Sequence, residues 1–138
     1  MKHPGKGYLL DTNVLLRYLL DDDVDQSPRA RRLMKSLERG RKHAELEDFV
    51  LAETVWVLEK GLEVPRSEIS RRLSALVMFR GLRCRQKSVV LDALSLFSQT
   101  TCDIVDCLLA ARALNGGLEV SSFDQDFKKL GCPWKEPP

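Results

Sequence analysis

The chain has 138 residues and a mass of 15.7 kDa, the size of one ordinary domain, which buries about 70 % of its unfolded chain's surface. With 43 % hydrophobic, 30 % charged and 7 % aromatic residues, and only 8 Gly and 6 Pro, collagen-like, low-complexity and disordered chains are excluded. The formal net charge of +2 hides two strongly basic segments: residues 27–43 hold seven bases against Glu38 and residues 66–87 seven against Glu68, so each carries +6 and the rest −10. Such a run is either a solvated helix face or a stripe that binds a polyanion.

Tyr8-Leu9-Leu10 is a short apolar run that reads as a buried strand ending at Asp11. Thr12-Asn13 supply cap chemistry for the amphipathic segment Val14 to Leu20, which Asp21-Asp22-Asp23 breaks. Ser27-Pro28 opens a second helix that runs to about Gly40, with Pro in the first turn where its missing N–H costs nothing. Residues 49–60 form a helix apolar nearly all round, 66–79 a basic amphipathic helix, and Leu82 to Arg85 a short alternating strand. A helix over 88–99 follows. Another starts after Asp103 and stops at Asn115-Gly116-Gly117, ahead of the strand Leu118-Glu119-Val120. Stretches 40–48 and 80–88 are read as loops around these elements, and the tail with Pro133, Pro137 and Pro138 as a trailing end.

Short strands separated by helices imply right-handed crossovers and a parallel sheet covered on both sides, so an α/β sandwich forming a single domain over 1–138 is expected. Ligands of such sheets collect beyond the carboxyl ends of the strands, where Asp11 and Ser121-Ser122-Phe123-Asp124 would lie. The longest apolar run, Cys107 to Ala111, is far short of the roughly 20 residues that span a bilayer. Tyr8-Leu9-Leu10 is too short for a secretory core, so a cytosolic, membrane-free protein is expected. Cys84, Cys102, Cys107 and Cys132 show no C-x-x-C pair, which leaves them as small buried hydrophobes rather than a zinc site or disulfide framework.

The carboxylates carry the functional signal. Glu53 is the only charge between Phe49 and Leu58. It either occupies the helix's one exposed stripe, within reach of Lys60 or Arg17, or is a buried acid that needs a partner or a metal. Asp103 and Asp106 suit a helix N-terminus as cap and third residue, and Asp124 and Asp126 suit a short helix capped by Ser121 or Ser122. If Asp11, Glu53, Asp106 and Asp124 converge, their repulsion demands protonation or a divalent cation, and an oxygen-only ligand set suits Mg²⁺ or Mn²⁺. That chemistry is phosphodiester hydrolysis.

In order along the chain, Leu10-Asp11-Thr12-Asn13-Val14-Leu15-Leu16-Arg17-Tyr18-Leu19, Leu51-Ala52-Glu53-Thr54-Val55-Trp56-Val57-Leu58, Asp103-Ile104-Val105-Asp106-Cys107-Leu108-Leu109-Ala110 and Ser121-Ser122-Phe123-Asp124-Gln125-Asp126-Phe127 resemble the motifs of a PIN domain. Within that family they resemble the VapC-type ribonuclease toxins of bacterial type II toxin–antitoxin modules. The resemblance implies a three-layer α/β/α sandwich with a short, mainly parallel central sheet. It also implies a Mg²⁺- or Mn²⁺-dependent endoribonuclease whose acidic quartet is Asp11, Glu53, Asp106 and Asp124, with Asp103 a fifth acid at the rim. Thr12, Asn13 and Ser122 fall where the family places polar groups that support carboxylates or metal waters; Ser122 stands where Thr is commoner. Homodimers are implied, as is a cognate antitoxin seated beside the first helix, against Leu16, Tyr18, Leu19, Leu20 and Trp56. The alternative is a PIN-like module that binds RNA or protein without cutting, and a phosphohydrolase or receiver-like domain is a further rival that leaves Glu53 unexplained.

Overall fold

The structure, a computed structural model, describes residues 7–138; the rest of the Met1–Gly7 lead-in lies outside the described residues. Strand β1 (Tyr8–Leu9) leads into α1 (Thr12–Leu20), then come α2 (Gln26–Glu38), β2 (Ala44–Glu45), α3 (Asp48–Trp56) and a π-helical turn over Val57–Gly61. Helix α4 (Arg66–Val77), β3 (Leu82–Arg83), α5 (Lys87–Gln99), α6 (Ile104–Gly116), β4 (Val120–Ser121), a 3-10 turn over Gln125–Lys128 and β5 (Trp134–Lys135) complete the chain. Among the described residues every strand pairing is parallel. β1, β2 and β3 form one sheet in that order, with Tyr8 opposite Ala44 and Ala44 opposite Leu82, while β4 and β5 pair separately.

Local chemistry sets the helix boundaries. Asp11 is the N-cap of α1 and accepts a hydrogen bond from the Thr12 amide at 2.9 Å, and Asp21 ends the helix in a left-handed conformation at φ 51°. The side chain of Asp23 accepts from the Gln26 and Asp25 amides, and these bonds hold its carboxyl below its ordinary range. Gly117, at φ 64°, closes α6 in the left-handed region that glycine tolerates. The core is one continuous cluster in which Phe97, Leu94, Leu73, Leu37, Met34 and Leu15 are wholly buried. Helix α3 packs on both α1 and α6, and α5 packs between α4 and α6, which completes the PIN-like α/β/α arrangement.

Five expectations need correction, the first being the buried strand at Tyr8-Leu9-Leu10, of which only Leu10 is in the core while Tyr8 and Leu9 are exposed. The apolar helix expected over 49–60 is α-helical only to Trp56, after which the backbone widens into the π-helical turn. A strand, β2, lies inside the 40–48 stretch taken as loop. Residues 134–135 are not a trailing end. They pair with β4: Val120 donates to the Pro133 carbonyl at 2.9 Å and Ser122 to that of Lys135 at 3.2 Å, while the Trp134 indole donates to the Ser122 carbonyl at 2.9 Å. The second basic segment is also partly consumed within the fold. The Arg66 guanidinium lies 3.6 Å from the centroid of the Phe97 ring and donates to the Phe97 and Cys102 carbonyls and to Glu59, and Arg71 pairs with Glu68.

All four cysteines are free. Cys102 and Cys107 are buried as expected, whereas Cys84 and Cys132 are only partly so. Burial pushes the Cys107 thiol up to about 12 and the Cys84 thiol up to about 11, which leaves both as inert thiols at neutral pH. Among the described residues, no helix is long and apolar enough to cross a membrane.

Candidate metal and phosphodiester site

Asp103 is the N-cap of α6, where its Oδ1 accepts from the amides of Val105 at 3.0 Å and Asp106 at 3.3 Å. Asp106 follows in the first turn, half-buried. Beside α6, the chain leaving β4 turns sharply. Ser122 Oγ accepts from the Asp124 amide at 3.0 Å, and Asp124 Oδ1 accepts from the Asp126 amide at 2.9 Å and so caps the 3-10 turn. Asp103 thus caps α6 as the sequence suggests, whereas the cap of the 3-10 turn is Asp124 itself and not Ser121 or Ser122, because Ser122 is spent on the Asp124 amide. Desolvation is the main cause that raises the Asp106 carboxyl above its ordinary value, followed by the negative charges of Asp103, Asp124 and Asp126. No cation is among the groups that act on it.

The other expected acids come from neighbouring elements. Asp11 stands exposed at the start of α1, and Glu53 stands on α3, which packs against both α1 and α6. Glu53 is exposed, not desolvated, because α3 buries only Val50, Leu51, Thr54 and Val55 and leaves Phe49 71 % and Trp56 62 % accessible on the opposite face. Neither Lys60 nor Arg17 pairs with it; these bases pair with Glu59 and Asp22. Asn13 is exposed, while Thr12 is buried with its hydroxyl Oγ1 lacking any hydrogen-bond partner. Such a buried orphan is uncommon and marks a place where a further polar group belongs. Of the expected groove residues, Leu19 is core, Leu16, Tyr18 and Leu20 are partly buried against it, and Trp56 is free.

Among the described residues, no three His, Cys, Asp or Glu side chains are drawn tightly enough together to hold a metal ion. The donor set nonetheless fits a hard cation in kind: carboxylates with oxygen donors only, like charges that raise Asp106, and the unpartnered Thr12 hydroxyl beside Asp11.

Two residues outside the expected acid set belong to this region: Asp126, read only as a helix-start acid, and Arg112, which the sequence did not single out. Asp126 adds to the field on Asp106 while also pairing with Lys129 at 3.4 Å. Arg112 on α6 forks onto Asp48 in the first turn of α3, with Nε at 2.9 Å and Nη2 at 2.6 and 2.7 Å from the carboxylate oxygens, and also donates to Gln86 and to the Arg85 carbonyl. With side-chain exposures of 14 % and 34 %, this bidentate pair ties together the two helices that carry Asp106 and Glu53. Arg112→Ala should cost about 2 kcal/mol in urea melts, because it leaves Asp48 half-buried and unpaired. Removing both partners should cost less than the two single losses added.

A PIN-domain family model matches residues 8–131. The chain is also 28 % identical over 124 residues to the VapC ribonuclease of Aquifex aeolicus (strain VF5), an alignment that covers 89 % of this chain and 91 % of the relative. With that model matched over nearly its whole length, the chain belongs to the PIN-domain family.

Proposed function

We propose that this protein is a divalent-metal-dependent ribonuclease that hydrolyses RNA phosphodiester bonds and acts as the toxin of a toxin–antitoxin pair. The observation that carries the reading is the clustering of acids around half-buried Asp106, whose carboxyl is raised by desolvation and then by the charges of Asp103, Asp124 and Asp126. The resemblance to a protein named VapC ribonuclease supports the same conclusion. In this reading Asp11, Glu53, Asp106 and Asp124 hold the cation, while Asp103 stays at the rim as the cap that orients Asp106. Thr12, Asn13 and Ser122 supply hydroxyl and amide groups around the carboxylates. Mg²⁺ or Mn²⁺, when bound, lowers the pKa of a water and neutralises charge that develops on the phosphate.

The protein's own contribution is positioning. The caps of α1, α6 and the 3-10 turn fix Asp11, Asp106 and Asp124 on rigid backbone, and the Arg112–Asp48 fork holds α3 and α6 in register. The partners in this reading are RNA, a cognate antitoxin that covers Trp56 and the apolar surface beside α1, and a second copy of the chain in a homodimer. Such a protein would work in the cytoplasm.

The reading is tested on a pool of fluorescent RNAs with Mg²⁺, Mn²⁺ or a chelator. Cleavage that needs the metal and disappears in Glu53→Gln is expected. RNA that is bound but never cut at any metal concentration would leave a binding module without catalysis, and cleavage indifferent to the chelator would end the metal reading.

A further inference from the structure

Helix α2 and the turn after it carry a shallow depression of about 220 Å³ lined by Arg32, Lys35, Ser36, Arg39 and Arg41. The four bases are exposed, and none of them forms an ion pair among the described residues. They differ in this from Arg29 and Arg31 on the same helix, which pair with Asp25 and Asp21. Glu38 is the single acid in residues 27–43, too little to neutralise the group. Neighbouring elements add positive charge: Arg80 packs against Gly40, and Lys42 sits 5.7 Å from the centroid of the half-exposed Tyr8 ring. An exposed cluster with unspent charge fits a polyanion better than it fits the fold.

Its place in the fold is informative. Residues 41–43 and 80–81 run directly into β2 and β3, and Tyr8 begins β1, so this depression lies at the amino edge of the sheet. Asp11 follows β1 at the carboxyl edge. The other half of α2 closes that distance: a second depression, of about 310 Å³, is lined by Asn13, Val14, Arg17, Gln26, Arg29, Ala30 and Leu33. Asn13, two residues after Asp11, lies in its lining, and Arg29 is one turn before Arg32. The 13 residues of α2 are about 20 Å long, the length of roughly six nucleotides of stacked strand.

We propose that the RNA backbone runs along α2 and is held by the unpaired bases at the amino edge, so that the substrate is a polynucleotide gripped several nucleotides away from the acids. This rests on the ribonuclease reading and adds to it where the rest of the substrate lies. The contacts are to phosphates and are indifferent to sequence.

The test measures anisotropy of fluorescein-labelled oligo(U) of about 30 nucleotides and of a tetranucleotide, each across a salt series. Reversing Arg32, Lys35 and Arg39 to Glu should weaken binding of the long probe about tenfold or more and lower its log–log salt slope by about 2, from three lost phosphate contacts on a single strand. Binding of the tetranucleotide, which cannot reach the depression, should stay unchanged. The same three positions changed to Gln guard against loss of α2, with circular dichroism as the check, and should give the same ordering with smaller losses. An unchanged slope on the long probe, or an equal loss on both probes, would overturn the proposal. So would a reversal-sensitive affinity for polyglutamate with none for RNA, which would assign the surface to an acidic protein. Failure of the ribonuclease reading looks different, as a long probe bound with the expected slope and left uncut in Mn²⁺.

Discussion

Asp106→Asn should reduce RNA cleavage in Mn²⁺ by a factor of about 10² or more, since it removes one ligand charge from the cation while keeping the side chain's shape. The same substitution should raise the melting temperature of the metal-free protein at neutral pH. Desolvation and then Asp103, Asp124 and Asp126 raise the Asp106 carboxyl in the folded state, so the fold binds this proton more tightly than the unfolded chain does. Stability from this group is therefore present at low pH and is lost as pH rises through the raised value. The wild-type metal-free protein should gain stability on mild acidification, and the Asn variant should lose that gain. Calorimetry over a pH series with a chelator, beside cleavage rates with metal, separates the two effects. A variant less stable than wild type at neutral pH without metal would make Asp106 a structural residue.

Gly81→Ala should be the most damaging small substitution in the chain. A Cβ there would sit 1.9 Å from the Lys42 carbonyl oxygen and 3.0 Å from that of Leu37, both backbone atoms. Gly81 also donates to Leu37 at 2.7 Å and accepts from the Ala44 amide at 2.8 Å, so the end of α2, the start of β2 and the approach to β3 meet on this residue. Relief requires moving one of those segments, at a cost of about 3 kcal/mol or more, which lowers the melting temperature by roughly 10 °C in a domain of this size. Gly61→Ala is the control. Its Cβ would meet nothing closer than 3.9 Å, and thermal melts should place it within a degree or two of wild type.

The contrast between what was and was not legible in the sequence follows from how local each signal is. Caps are local. Asp103 was readable at its helix start, the caps of α1 and the 3-10 turn fall on Asp11 and Asp124 within a residue or two of the places read, and the Asn115-Gly116-Gly117 stop of α6 falls where Gly117 takes its left-handed turn. The strands carry two residues each, too few for any periodicity, so β2 and β5 exist only because distant segments pair with them. Exposure of Glu53 was hidden for a related reason: Phe49 and Trp56 made α3 look buried all round, yet an apolar side chain does not report which face the core covers. The approach of Asp126 to Asp106, and of Arg112 on α6 to Asp48 across 64 positions of chain, is tertiary and has no trace in spacing. The order of the acids along the chain was legible, whereas the field they create together was not.

The pairing of β4 with β5 has a consequence for motion. The loop that presents Ser122 and Asp124 is bracketed by the amides of Val120 and Ser122, and both donate to carbonyls of residues 133–135, under the Trp134 indole. The loop that carries Ser122 and Asp124 is thus fastened by a two-residue ladder in a small sheet of its own, where local opening costs far less than global unfolding. Whatever peels residues 133–135 away unfastens Asp124 with them. The hydrogen-exchange lifetimes of the Val120 and Ser122 amides are then a clock for how often that loop comes loose.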